Sequence, residues 1–376
     1  MFFWLHIVLG PLPWVLMLVG MWSGRAKMAR LRRAGPQPIP EQPPSVTVVV
    51  PGKDEEGHIA DTLASVLALD WPELRVIAVD DRSTDRTPAI IDELAARDER
   101  LTAVHIETLP DGWLGKCHAL WSATREVESE WLLFVDSDVL VEPGALRDAL
   151  GLALARDFQA VSLLSRLRPR GLLEHWLVPV CAAAWAVMFA ISQTNEPSRK
   201  GAAANGQFFL VRRDVYEQVG GHEAVRAKIT EDVALMRNIK NAGHRTRLFS
   251  APHLVSTQMH ATWAQIRNGW TRIYTGTADG GRGRIALALV IVLGVLASLV
   301  LLPWSPVASG VHIGLVAAWL VAVYVMAGVG SGVAWWPVVL LPGTFVALAV
   351  VLGGALGRGE VDWRGSAVSE PGGHAR

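Results

Sequence analysis

The chain has 376 residues, with Lys+Arg 35 against Asp+Glu 35 and a formal net charge of +0. Hydrophobic residues make up 51%, charged residues only 19%, and mean hydropathy is +0.29. This excludes a disordered chain, a collagen and a globally basic nucleic-acid binder, and argues against an all-soluble protein. Two cysteines exclude a disulfide framework and a Cys-rich zinc site.

Residues 1–22 carry no Asp, Glu, Lys or Arg. The stretch meets the roughly 20 residues that a helix needs to cross a bilayer. It lacks a basic leader and a small-residue cleavage site, which predicts an uncleaved anchor over residues 1–24. Arg25, Lys27, Arg30, Arg32 and Arg33 follow, and the positive-inside tendency keeps them in the cytoplasm. Pro36, Pro38, Pro40, Pro43 and Pro44 complete a basic, Pro-rich linker over residues 25–44.

From Ser45 the pattern changes. Residues 46–50, 74–79 and 132–135 are short apolar runs of strand type. Helical patterns at 58–69, 86–97 and 117–127 fall between them. Buried strands alternating with helices predict an α/β fold with a mostly parallel sheet, here over residues 45–275. Residues 172–191 are apolar enough to span a membrane. A crossing there would put the carboxylates on its two sides in different compartments. The stretch therefore reads as an interfacial helix, with Trp176 and Trp185 at headgroup level.

Residues 285–302, 311–329 and 335–356 are three more apolar stretches, predicting a C-terminal membrane bundle over 285–356 and a polar tail over 357–376. Arg282 and Arg284 mark the cytosolic side of the first. Four spans would return the C-terminus to the outside. Arg358 and Arg364 pull the other way, and Pro337 and Pro342 allow a re-entrant last segment. The side of the C-terminus stays open.

Three acidic motifs carry chemistry. Asp80-Asp81-Arg82-Ser83-Thr84-Asp85 follows a strand, where open α/β sheets bind ligands. Its paired carboxylates suit base N–H groups or ribose hydroxyls, and Asp85 suits a helix cap. Asp136-Ser137-Asp138 ends another strand, and carboxylates two residues apart can bracket one divalent ion. Glu231-Asp232 opens a helix, as general base or as acids favoured by the macrodipole. Lys116 sits at a helix start suited to phosphate, or is a solvated lysine. The histidines show no metal spacing.

The ordered set of Val79-Asp80-Asp81-Arg82-Ser83-Thr84-Asp85, Gly115-Lys116 with Ala119-Leu120, Asp136-Ser137-Asp138 and Glu231-Asp232 resembles the family 2 glycosyltransferases. The resemblance covers roughly residues 45–275. It implies a GT-A type, mostly parallel sheet flanked by helices, here with N- and C-terminal transmembrane helices. It implies donor contacts from Glu55, Asp80, Asp81, Lys116 and Asp136, and a Mg2+ or Mn2+ ion at Asp136 and Asp138. Asp232 would be the catalytic base of an inverting transfer. Candidate acceptor-side residues are Glu231, Gly206, Gln207 and Trp270.

The membrane layout, Leu109-Pro110-Asp111-Gly112-Trp113 and the tail Val361-Asp362-Trp363-Arg364-Gly365 resemble the hopanoid- and carotenoid-associated lipid glycosyltransferases, with ceramide types nearby. The implied partners are a nucleotide-sugar, a UDP-sugar foremost, a lipid acceptor and the membrane, with no nucleic acid. The implied location is the cell membrane, multi-pass, with the catalytic domain cytoplasmic. Two departures stand out. Asp54 precedes Glu55 where the family usually has Asn. Gln265-Ile266-Arg267-Asn268-Gly269-Trp270 is an irregular version of the Gln-x-x-Arg-Trp element of processive synthases, which favours a single transfer. A polyprenyl-phosphate glycosyltransferase and a non-catalytic scaffold or transporter are the competing readings.

Overall fold

The strand Val46–Gly52 (β1) is buried along its whole length, as a strand covered on both faces must be. Its side chains alternate between two cores. Val46, Val48 and Val50 enter one, and Val49 enters the other. Trp131–Phe134 (β4) divides the same way, with Leu133 on the first side and Leu132 and Phe134 on the second. The structure, a computed structural model, describes residues 11–27, 39–169, 171–188, 194–196, 201–258, 262–278, 282–301, 305–326, 340–357, 360–363 and 366–369.

Leu74–Asp81 (β2) and Leu101–Ile106 (β3) extend the sheet from β1, and Ala160–Leu164 (β6), Phe209–Arg212 (β8) and Thr246–Ser250 (β9) complete it. The order is β3-β2-β1-β4-β8-β6-β9. Only β8 runs against its neighbours β4 and β6; the other pairings in this sheet are parallel. The register pairs Gly52 with Asp80 and Asp80 with His105, so three strand ends open on one edge.

Helices cover both faces. Ile59–Leu67 (α2), Thr87–Ala95 (α3) and Ala145–Arg156 (α5) supply Ile59, Leu63, Ile91, Leu146 and Leu150 to the first core. Gly115–Thr124 (α4), Arg213–Gln218 (α7) and Glu231–Asn241 (α8) supply Leu120, Val215, Leu235 and Ile239 to the second. A second sheet joins Val139–Val141 (β5), Val255–Thr257 (β10) and Arg166–Leu167 (β7), in the order β5-β10-β7. All of this belongs to one unit, Met28–Arg168, Gln193–Gln258 and Asp362–Arg376.

The other unit comprises Met1–Lys27, Pro169–Ser192 and Met259–Val361. Its helices are Pro11–Lys27 (α1), Leu172–Met188 (α6), Trp263–Ala278 (α9), Gly283–Leu301 (α10), Pro306–Met326 (α11) and Leu341–Gly357 (α12). The two compact units divide after Gln258, and α9, within the expected residues 45–275, buries Trp270 and Tyr274 in the apolar unit. Tyr274 Oη donates to the Cys181 carbonyl at 2.8 Å. Trp176 and Trp185, expected at headgroup level, donate their indole N–H to Thr344 (2.7 Å) and Thr277 (3.1 Å). A Cβ on Gly343 would sit 3.1 Å from Trp176, so this glycine permits close helix approach.

Among the described residues one helix, Gly283–Val300, is long and apolar enough to cross a membrane. Pro11–Gly20, Leu172–Met188, Ser309–Tyr324 and Leu341–Gly357 are apolar but shorter. The 17 residues of α12 span about 26 Å at 1.5 Å each, short of a roughly 30 Å hydrocarbon core. The expected set of four membrane spans is thus represented by a single full-length candidate. Residues 1–10, Arg30, Arg32, Arg33, residues 327–339, Arg358 and Arg364 lie outside the described residues.

Candidate active site

The loops after β1 and β2 are zipped to each other. Asp54 (φ 53) and Arg82 (φ 58) both adopt the left-handed conformation. Asp54 N–H donates to Ser83 Oγ at 2.9 Å, and Asp54 Oδ1 accepts from Thr84 N–H at 2.7 Å. Glu55 N–H donates to Thr87 Oγ1 at 2.8 Å, and Glu56 N–H to Asp85 Oδ2 at 3.0 Å. This explains the departure at position 54. The loop needs a short acceptor that tolerates positive φ, and Asp and Asn share both properties. Asp85 Oδ1 also accepts from Thr87 N–H at 2.9 Å, the capping part expected of it.

Asp80 and Asp81 are buried at the end of β2. Asp80 Oδ1 accepts from Ser83 N–H at 3.2 Å, and its Oδ2 lies 3.6 Å from His105 Nδ1. His105 Nε2 meets Asp92 Oδ1 at 2.9 Å. Asp92 above all, with Asp80 assisting, outweighs burial and raises the His105 pKa. Asp81 is gripped by Arg82, at 2.7 and 3.2 Å. Its Oδ2 presses on the bare face of Gly115, where any Cβ would land on it.

Lys116, on the first turn of α4, stands among carboxylates from two other elements. Its Nζ lies 2.5 Å from Asp136 Oδ1 and 2.7 Å from Glu231 Oε1. Burial opposes its charge, but Asp136, Glu231 and Asp232 prevail and hold its pKa well above that of an ordinary lysine. Asp232 accepts from two backbone N–H groups, Gly206 on Oδ2 at 2.7 Å and Val233 on Oδ1 at 2.8 Å. Burial, then Glu231, push its pKa up to about 7 against the pull of Lys116. A Cβ on Gly206 would sit 3.2 Å from Lys116 Nζ and 3.5 Å from Asp232 Oδ2. A side chain there would make the Lys116 ammonium give way by a few tenths of an ångström. The cleft formed is lined by Lys116, Asp136, Gly206, His222, Glu231 and Asp232 among others.

Asp138 follows on the same turn. Burial first, then Asp136 and Glu55, push its pKa up to about 7. Among the described residues no group of three or more His, Cys, Asp or Glu converges on one point. The protein therefore offers two carboxylates, a set that suits a Mg2+ or Mn2+ ion whose other ligands are substrate phosphates and water. The burial and the neighbouring carboxylates that raise Asp138 are what a cation offsets. The residues fit the expected ion.

The structure thus gathers Glu55, Asp80, Asp81, Lys116, Asp136, Asp138, Gly206, Gln207, Glu231 and Asp232 within one unit. Trp270 lies in the other, on α9. Gln265 there accepts from Thr262 N–H at 3.0 Å while Thr262 Oγ1 accepts from Gln265 N–H at 3.3 Å. That reciprocal capping box gives the glutamine a structural task. Sequence reading missed His105 and His222. For His105 the one available signal was its place at the end of β3, beside Asp80.

His222 shares the cleft wall with Phe134, 4.7 Å away edge-on. Its Nδ1 lies 2.8 Å from Tyr216 Oη, which accepts from His222 N–H at 3.1 Å. Burial, then Lys116, push its pKa down to about 3. Between pH 6.5 and 3 the unfolded chain binds a proton that the folded chain refuses, so stability falls as pH falls. At pH 5 the penalty is about 2 kcal/mol. The drop in Tm of the detergent-solubilised protein between pH 8 and pH 5 should shrink in His222→Gln; an equal drop would show that His222 does not carry it.

Residues 43–276 match the family model described as "Glycosyltransferase like family 2". The chain belongs to glycosyltransferase family 2. A 4,4'-diaponeurosporenoate glycosyltransferase of Staphylococcus aureus strain MRSA252 is 26% identical over 257 residues, 66% of each chain. Its counterpart in strain USA300 is 25% identical over 255 residues, again 66% of each. The match thus spans just under two thirds of these relatives. Among solved structures, the mannosyltransferase PcManGT from Pyrobaculum calidifontis, in complex with GDP-Man and Mn2+, superposes with a TM-score of 0.59. It is 19% identical and covers 95% of this chain and 99% of its own. That likeness establishes the GT-A type fold.

Proposed function

We propose that the protein moves one sugar from a nucleotide-sugar to a lipid hydroxyl at the cytosolic membrane face, with inversion at the anomeric carbon. The observation that carries this reading is Asp232. Both its oxygens are fixed by backbone N–H groups, each with a lone pair left, and its pKa of about 7 suits a base working near neutrality. It takes the proton of the acceptor hydroxyl. Lys116 contacts the donor phosphates, and Glu55, Asp80 and Asp81 hold the nucleoside on the zipped loops. Asp136 and Asp138 hold Mg2+ or Mn2+, which supplies charge neutralisation at the diphosphate. Glu231 keeps Lys116 in place.

Family membership and the printed substrate of the relatives support a lipid acceptor. The apolar unit, with Gly283–Val300 its full-length span, supports membrane attachment and a multi-pass arrangement completed by the shorter helices. The structural use of Gln265 supports a single transfer over processive synthesis. A second reading, an acceptor that is already an anion, is favoured by the relatives, whose names end in a carboxylate. The test is mass spectrometry of lipids from membranes containing the purified protein and a panel of UDP- and GDP-sugars. Monoglycosylated lipid is expected. Nucleotide-sugar hydrolysis without any glycolipid would overturn the reading.

A further inference from the structure

We propose that Arg168 is an anion-binding residue for the acceptor, taking the carboxylate or phosphate at its polar end. This rests on the transferase reading above in its second form, an acceptor that is already an anion.

The register of the small sheet places Val139, Thr257 and Leu167 in one row. Their neighbours Asp138, Gln258 and Arg168 therefore end the sheet at a common edge. Arg168 N–H donates to the Thr257 carbonyl at 2.8 Å, and Thr257 Oγ1 donates to the Asp138 carbonyl at 3.4 Å. Two strand spacings put the Asp138 and Arg168 backbones roughly 10 Å apart with Gln258 between them, a distance that an arginine side chain and a small oxyanion together can reach across. The segment is also tied to the base. Ser165 Oγ donates to Gln207 Oε1, and Gln207 follows the glycine whose N–H holds Asp232.

Within this frame Arg168 Nε is buried without a hydrogen-bond partner among the described residues. Buried donors are nearly always satisfied, and an exception on the sheet edge that also carries Asp138 points to a group that arrives with a ligand. A guanidinium fork matches carboxylate and phosphate. The donor diphosphate offers the same oxyanion chemistry, so the test must separate the two sources.

The full chain in detergent is titrated with retinoic acid and with retinol, a polyene carboxylate and its alcohol, following tryptophan fluorescence. UDP and GDP with Mn2+ are titrated in parallel. The wild type should bind retinoate roughly tenfold tighter than retinol at pH 8. Arg168→Gln should bring the two within about twofold, Arg168→Lys should fall between, and nucleotide binding should not change. An unchanged retinoate preference in Arg168→Gln, no preference in the wild type, or a parallel loss of nucleotide binding would overturn the proposal. Unchanged retinol binding shows that the variant is folded. If the preference depends on Arg168 but no glycolipid ever forms, the anion site stands and the transferase reading falls.

Discussion

Asp232→Asn should slow transfer to a lipid hydroxyl by about 10²- to 10⁴-fold, the usual contribution of a positioned base. Nucleotide binding should stay within a few-fold of wild type. Asparagine keeps the shape but accepts no proton, and its amide NH2 must face one of the two backbone donors that now meet carboxylate oxygens. That mismatch costs about 1–3 kcal/mol, visible as a lower Tm. The loss should also depend on the acceptor. A carboxylate or phosphate acceptor has no proton to give, so its transfer should survive in Asp232→Asn far better than transfer to an alcohol. Full turnover of an alcohol acceptor by Asp232→Asn would remove the base assignment.

The second large effect is expected at Asp138. Asp138→Ala should weaken Mn2+-dependent binding of a nucleoside diphosphate by at least tenfold, measured by calorimetry with and without Mn2+. The same change should not lower Tm in metal-free buffer at pH 8. The sign follows from the pKa, raised from an ordinary carboxylate value to about 7. Between those values the folded chain holds a proton that the unfolded chain has lost, so stability declines as pH rises through that window. Above it Asp138 is a charge beside Asp136 and Glu55, and its removal relieves the fold. Asp136→Ala differs, since it strips Lys116 of a partner at 2.5 Å and should lower Tm. Unchanged Mn2+ dependence in Asp138→Ala would exclude it from the metal site.

Two of the three acidic motifs were readable from sequence because each sits where a buried strand ends, and strand ends of a parallel sheet meet on one edge. Strand polarity and spacing sufficed for Asp80, Asp136 and Asp138. What makes some residues matter was not readable. Gly115 matters because Asp81 presses on it, and Gly206 because Lys116 and Asp232 flank it. Arg168 looks like any surface arginine until the register of a three-stranded sheet places it on the same edge as Asp138, two strands away. α9 carries arginines yet buries Trp270, Thr271, Tyr274 and Thr275, and it groups with the apolar unit although the family match runs on to residue 276. Apolar length marked four spans, of which one, Gly283–Val300, is a full-length candidate among the described residues.

The zipped loops at Asp54 and Arg82 bear on the timing of recognition. Their left-handed turns and cross-loop hydrogen bonds are complete in the free protein, so a nucleoside landing there has little chain to freeze. The diphosphate end is different, because the Lys116 ammonium is committed to Asp136 and Glu231 and must trade partners. On the proposed reading the donor docks by its base first, quickly and with little entropy loss. Its charged tail then completes a slower exchange, which sets the residence time.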